Sequence, residues 1–467
     1  MSDVPEADPS GGEARPESRR PNYAARRMLV STIGITAVVA AGVLGWRVIK
    51  GSDSSSPGAG AEWDAIALVD RATGAVTVIG DDGSPDDSAD GYTGRGRVTR
   101  VEVDGDRLAL IGNDQLVLTD LDAEPVIVPF ERDASITRLA TTEGLHLMIG
   151  DPQGGNVVIV EGDTGTTLDV GELANQSNPL LFADTVRHDL GGTVFAVADA
   201  GNFQTIAVRS GTEDPVFYPD QPLAVGEEVV ATSQVVGTRV DIGLFDAEGE
   251  RIGETPSEIP AGGAIVDGRL VFISIDGGVF RVRPGADEAE RIGTVPVPGG
   301  GTVRGVRLSN GGDRLVVFGD VFQAVVGLEG NTLFTTTFSA AASITAPDPR
   351  WTCLPVGSRD SAHSIVALDD GTQLADLAEL EIGGTSADGC VVIGERGGVT
   401  EVISADGSVQ LGRLRSATLS PDGRAVVALT TTGRLELIEI ADDMTIGDPI
   451  DLSDVAPANP LVAFLDR

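Results

Sequence analysis

The stretch LSPDGRAVVALTTTGRLELIEI, Leu419 to Ile440, alternates turns with apolar runs. Ser420-Pro421-Asp422-Gly423 is a turn signal, because proline presets φ and glycine accepts positive φ. The apolar run that follows, RAVVALT, is continuous, as in a strand covered on both faces. After a second turn at Thr432-Gly433 the pattern LELIEI alternates, as in a strand with one face buried. The stretch therefore reads as part of a small antiparallel sheet.

Working outward, the same unit recurs. VTRVEVDGDRLALIGNDQLVLTD starts at Val98, and further copies start at Ile136, Val186, Leu223, Gly263 and Val303. Two weaker copies start near Ser343 and Glu381, and the last starts at Leu414. The mean period is about 39.5 residues, close to the length of one four-stranded propeller blade. Each copy runs short strand, turn, apolar strand, turn, alternating strand, turn, polar outer strand. One such sheet cannot cover its own faces, whereas a closed ring of them covers every face and leaves only short edges. Ala65–Ile79 adds two strands, the outer half of a blade, and NPLVAFLDR at Asn459–Arg467 adds another. Pairing these ends would close the circle. The expectation is an all-β propeller over residues 62–467 with seven to ten four-stranded blades, ten units being counted. An unusually large ring, a split blade or two joined rings would account for a count above the usual four to eight.

The SPDGR turn at Ser420–Arg424 and its echo SNGGDR at Ser309–Arg314 resemble the turns of WD40/TolB-like propellers. ALVDRATGAVTVIG, Ala67 to Gly80, is similar to the outer hairpin of quinoprotein-type and YncE-like propellers. The resemblance implies the fold and does not specify a function. No unit carries the Trp-Asp pair that names the WD40 family. Val78 and Leu168 stand near where a quinoprotein repeat would close on tryptophan.

Composition fits this class: 41% apolar, 4% aromatic and 61 glycines among 467 residues. Acidic residues number 71 against 33 basic ones. The first 27 residues balance with five of each sign, and Arg47 and Lys50 follow, so the chain beyond Lys50 carries a net of −40. Such a surface repels phosphate backbones and offers no basic patch, which excludes nucleic acid as a partner.

Met28–Trp46, MLVSTIGITAVVAAGVLGW, contains no charge. At about 1.5 Å per residue it would reach about 28 Å, enough to cross a bilayer. Arg15, Arg19, Arg20, Arg26 and Arg27 precede it, so the positive-inside bias keeps the N-terminus in the cytoplasm. The expected plan is a disordered cytoplasmic tail (1–27), a transmembrane helix (28–50), a flexible linker (51–61) and the propeller (62–467). A cleaved export signal is the rival, and it too leaves the propeller outside the cytoplasm. The expected location is the plasma membrane, with one pass.

Candidate chemistry is sparse. His146, His188 and His363 are the only histidines, and none has a partner at metal-ligand spacing. There is no Gly-x-Ser-x-Gly elbow, and no lysine follows Lys50 to serve a phosphate-binding loop. Asp104-Gly105, Asp267-Gly268, Asp276-Gly277, Asp370-Gly371, Asp388-Gly389, Asp406-Gly407 and Asp422-Gly423 read as hairpin turns. DDGSPDDSADG, Asp81 to Gly91, reads as a solvated acidic loop and lacks the spacing of a calcium loop. No catalytic, cofactor-binding or metal-binding residue is assigned, and no cofactor. Cys353 and Cys390 lie one repeat apart in neighbouring second strands, and a disulfide between them suits an extracytoplasmic chain. Two buried free thiols are the other reading.

These features point to a membrane-anchored scaffold that meets an envelope protein or cell-wall ligand, with the bilayer as its partner through one helix. The alternative is an exported enzyme using the central funnel as a lyase, hydrolase or quinone-dependent dehydrogenase.

Overall fold

Turns set at near-forty-residue intervals become antiparallel sheets laid down in chain order. The computed structural model describes residues 63–85, 96–121, 124–151, 154–175, 180–212, 214–236, 239–338, 347–358 and 361–466. Chain contacts divide the protein into residues 1–47 and 48–467, and the described residues belong to the second unit. This unit is all-β, with only one four-residue α-helix, Val170–Leu173, among the described residues. Among the described residues seven sheets have four strands, one has three and one has six.

The sheets resolve into ten modules. Module 1 joins residues 65–80 to Leu461–Leu465. Modules 2 to 7 cover residues 100–129, 135–169, 187–219, 221–257, 260–294 and 303–337. Modules 8 and 9 cover 353–380 and 381–412 and share one long strand, Gln373–Thr385. Module 10 covers 414–451. The starts read from the sequence fall within three residues of the observed first strands in modules 2 to 7, 9 and 10. Module 8 differs. Its described strands begin at Cys353, and residues 339–346, where the sequence places its first strand, lie outside the described residues.

The second strands show why the modules need neighbours. Val194–Asp199 is buried along its whole length, and Arg269–Ser274 is buried except at its first residue. The outer strands are exposed, as in Glu290–Thr294 and Gly407–Gly412. Ten buried apolar clusters fill the ten junctions between consecutive modules. The last of these sets Ala425, Val427 and Leu437 of module 10 against Ile66, Leu68 and Phe464 of module 1. The succession is therefore closed on itself, an arrangement consistent with a β-propeller.

Closure is made by the C-terminal strand. Leu461–Leu465 pairs antiparallel with Ala65–Val69 along its full length, from Val69↔Leu461 to Ala65↔Leu465. It forms the inner edge of module 1, while Val76–Gly80 forms the outer edge. The sequence expectation of two strands joined by one from the C-terminal stretch is met: module 1 shows three strands among the described residues.

The turns between first and second strands gather at one end of the modules, termed here the turn end. They bond to one another from module to module: Asp466 N to Gly105 O, Thr142 N to Leu190 O, Asn310 N to Trp351 O, and Ala387 N to Pro421 O. The opposite end carries the turns between second and third strands and the connections between modules.

Candidate functional site

The sequence puts no catalytic residue forward, so the site must be built from what the modules bring together. Three places stand out.

The first is a contact across the middle of the closed succession. Asp104 ends the first strand of module 2, and Arg350 lies in the turn that opens module 8. Their side chains meet at 3.4 Å, although 246 residues separate them. Arg350 also grips Asp348 in a two-pronged bond, Nε to Oδ1 at 2.9 Å and an Nη to Oδ2 at 2.8 Å. Arg138 of module 3 lies 3.5 Å from Asp104 and 3.7 Å from Glu102. Burial works against the Arg350 charge, but Asp348 and Asp104 outweigh it and hold its pKa above the usual guanidinium value. Burial lowers the pKa of Arg138; Glu102 opposes that effect and Arg350 adds to it. A second crossing packs Leu190 of module 4 against Gly312 of module 7, where an added Cβ would stand 2.6 Å from the leucine side chain. The described modules follow one closed succession, narrowed at a waist where module 2 meets module 8 and module 4 meets module 7.

The second place is beside this waist. Arg307 sits in the innermost strand of module 7, Val303–Ser309. Its side chain is solvent-exposed, and an Nη donates to the Val306 carbonyl at 3.2 Å. His188 of module 4 lies close enough for the Arg307 charge to act on it. Burial is the larger cause that lowers the His188 pKa, and Arg307 lowers it further. His188 and His146, 42 residues apart in the sequence, flank the same ring, Phe195, at 6.5 and 5.5 Å. His146 Nδ1 bonds the Thr141 hydroxyl at 3.1 Å. His363 is exposed and stacks on Phe338.

The third place is the end opposite the turn end. Among the described residues, five of the eight exposed large apolar side chains lie there on modules 4 to 6 and their connections. They are Leu180, Phe203, Val235, Val236 and Ile259, with Phe203 71% exposed. Leu180 O takes a bond from Ala200 N beside the Phe203 turn, and Ile259 O takes one from Ile275 N. Module 5 raises Val235 and Val236 on strands of eight residues, longer than those of most other modules.

The remaining residues singled out in the sequence have these places. The glycines of the seven Asp-Gly pairs all have positive φ, as hairpin turns require. Asp82 accepts bonds from the Ser84 amide and hydroxyl, and residues 86–91 of the acidic stretch lie outside the described residues. Among the described residues no group of three or more His, Cys, Asp or Glu could hold a metal. No described helix is long and apolar enough to cross a membrane, and Met28–Trp46 lies outside the described residues.

Cys353 opens the first described strand of module 8, and Cys390 stands just before the second strand of module 9. They are joined as a disulfide, with Cα atoms 4.9 Å apart, across the junction of the two modules. Gly389, at φ +76°, lets its backbone meet the Cys353 carbonyl there. If the bond forms in the mature protein, non-reducing mass spectrometry finds no free thiol, and Cys353→Ser with Cys390→Ser lowers stability by about 2–4 kcal/mol. Two alkylatable thiols in protein purified without reductant would refute the bond.

No family model matches the chain, and no curated protein matches it. Solved structures do. A eukaryotic initiation factor is similar at 9% identity and a TM-score of 0.45, over 84% of this chain and 96% of that one. PorZ, a bacterial surface component of the type-IX secretion system of Porphyromonas gingivalis, is similar at 13% identity and a TM-score of 0.37, over 74% of this chain. The match spans half the length of PorZ. A chain of a mitotic checkpoint complex is similar at 14% identity and a TM-score of 0.33, over 64% of this chain and 87% of that one. Similarity at this level concerns the fold alone.

Proposed function

We propose that this protein is a membrane-anchored, extracytoplasmic β-propeller that binds an envelope protein through one end of its ring. The anchor rests on the uncharged Met28–Trp46 stretch and the five arginines before it. The observation that carries the binding role is the set of exposed apolar side chains Leu180, Phe203, Val235, Val236 and Ile259 at one end of three neighbouring modules. Side chains of this kind gathered on adjoining loops mark an interaction surface more often than they serve the fold. An exposed aromatic such as Phe203, 71% exposed, has the make-up of a binding anchor. The chain enters the unit at the other end, where Asp64 N bonds Leu465 O beside the Gly105 turn. The apolar end is thus the one remote from the tether's attachment and open to a protein partner.

The test uses the full-length chain in its own membranes. Crosslinking and capture should recover one protein with the wild type and lose it with Phe203→Ser combined with Val236→Asp, while the circular dichroism spectrum stays unchanged. Equal recovery with the double variant would overturn this reading of the apolar end. Degradation of the N-terminal tail by protease added to intact cells would overturn the orientation.

A further inference from the structure

Trp63 is one of three tryptophans in the chain, and it is half-buried just before the first strand of module 1. Its ring stands edge-on to Phe464, with centroids 5.0 Å apart. That packing covers part of the indole. The indole also lines an open groove of about 360 Å³ where module 10 meets module 1, at the turn end.

The other walls come from module 10. Asp422 and Arg424 belong to the turn before its second strand, and Glu439 ends its third strand. Ala441 N then bonds Thr445 O at 2.9 Å in a tight turn, across which Ile446 pairs with Ile440. Ile446, 42% exposed, is the aliphatic wall. Asp422 spends Oδ1 on its own turn, accepting from the Ser420 hydroxyl and the Arg424 amide. Among the described residues, neither Asp422 nor Glu439 has a cation within ion-pair reach. Arg424, the one basic residue of the lining, pairs instead with Asp442 at 2.8 Å. Carboxylates are plentiful on this chain, 71 against 33 basic residues. The indole beside these two sets them apart, since the other described tryptophan, Trp351, is only 5% exposed.

An aliphatic wall, an indole and two carboxylates suit an alkyl stem that ends in a positive charge. Long basic side chains lay their stems on apolar surface, an indole face attracts the cation, and carboxylates accept its charge-assisted bonds. An anion would meet like charge there. The volume lies at the lower end for ligand sites, room for one side chain. We infer that this groove receives an arginine or lysine side chain of a partner polypeptide.

Three tryptophans give three assignable indole N–H signals from the full-length protein, labelled at tryptophan nitrogen and held in detergent. The probes are the N-acetyl amides of arginine, lysine and norleucine, titrated at constant ionic strength. Norleucine keeps the stem and lacks the charge. The expected result is a saturable shift of the Trp63 signal with arginine or lysine, and none with norleucine. Glu439→Gln weakens binding about fivefold, as loss of an exposed ion pair would. Adding Asp422→Asn abolishes it. Arg424→Gln removes the opposing charge and strengthens binding about threefold, which mere damage to the groove would not do. A response to arginine alone assigns a guanidinium, and a response to lysine alone assigns an ammonium. A Trp63 signal that ignores both basic probes, an equal response to norleucine, or unchanged binding in Glu439→Gln would overturn the site. Should the double variant fail to fold, Glu439→Gln alone decides, because Glu439 is exposed. None of these outcomes bears on the apolar side chains, which lie at the opposite end.

Discussion

Arg350→Leu is expected to destabilise the ring by about 3–5 kcal/mol, because it removes one side of a buried ion pair. The Arg350 side chain is 8% exposed, and those of Asp104 and Asp348 are each 18% exposed. Without Arg350, Asp348 loses both prongs of its bond and Asp104 loses its link across the waist. Arg350→Lys should fall between, since a lysine keeps the charge but cannot fork onto Asp348. Pairing Arg350→Leu with Asp348→Asn should cost less than the sum of the two, because the second change removes the carboxylate that the first orphans. Denaturant unfolding followed by tryptophan fluorescence reports the loss, since Trp351 adjoins the cluster. An unchanged midpoint for Arg350→Leu would show that the cross-waist cluster does not hold the ring.

Removal of residues 460–467 is expected to abolish cooperative folding. All five residues of Leu461–Leu465 are buried, each no more than 6% exposed. Full burial of an aliphatic or aromatic side chain contributes about 1.5–3 kcal/mol, so losing the strand forfeits roughly 10 kcal/mol, comparable with the whole stability of a typical domain. The loss also bares the paired edge of Ala65–Val69 and opens the clusters on both sides of module 1. The truncated chain should be cut rapidly by protease under conditions that spare the intact one. Phe464→Ala, a milder lesion, should cost about 3–5 kcal/mol. A truncated protein with native protease resistance would mean that the ring does not depend on this closure.

The parts of the fold set by local pattern were legible in the sequence. Turn residues at Asp-Gly and Ser-Pro-Asp-Gly, with runs such as RLALIG and RAVVALT between them, mark where each module begins and which strand lies inside. The closing role of NPLVAFLDR was legible too, since an apolar strand at the C-terminus and a half-sheet at the other end each lack a neighbour. The waist was not legible. Asp104 reads as a turn residue, and nothing in PDPRW says that Arg350 reaches a strand 246 residues away. The two histidines around Phe195 were illegible for a similar reason: 42 residues part them in the chain, and only the packing of adjacent modules brings both to one ring.

The strand Gln373–Thr385 belongs to two sheets at once, its first half paired with Ser361–Ala367 and its second with Val392–Arg396. Elsewhere at least one residue outside the strands separates each described module from the next. Here there is none, and the Cys353–Cys390 bond spans the same junction. Modules 8 and 9 should therefore open together or not at all. Amide hydrogen exchange would then show a single rate for some sixty residues, an inelastic segment in a ring whose other joints can flex one at a time.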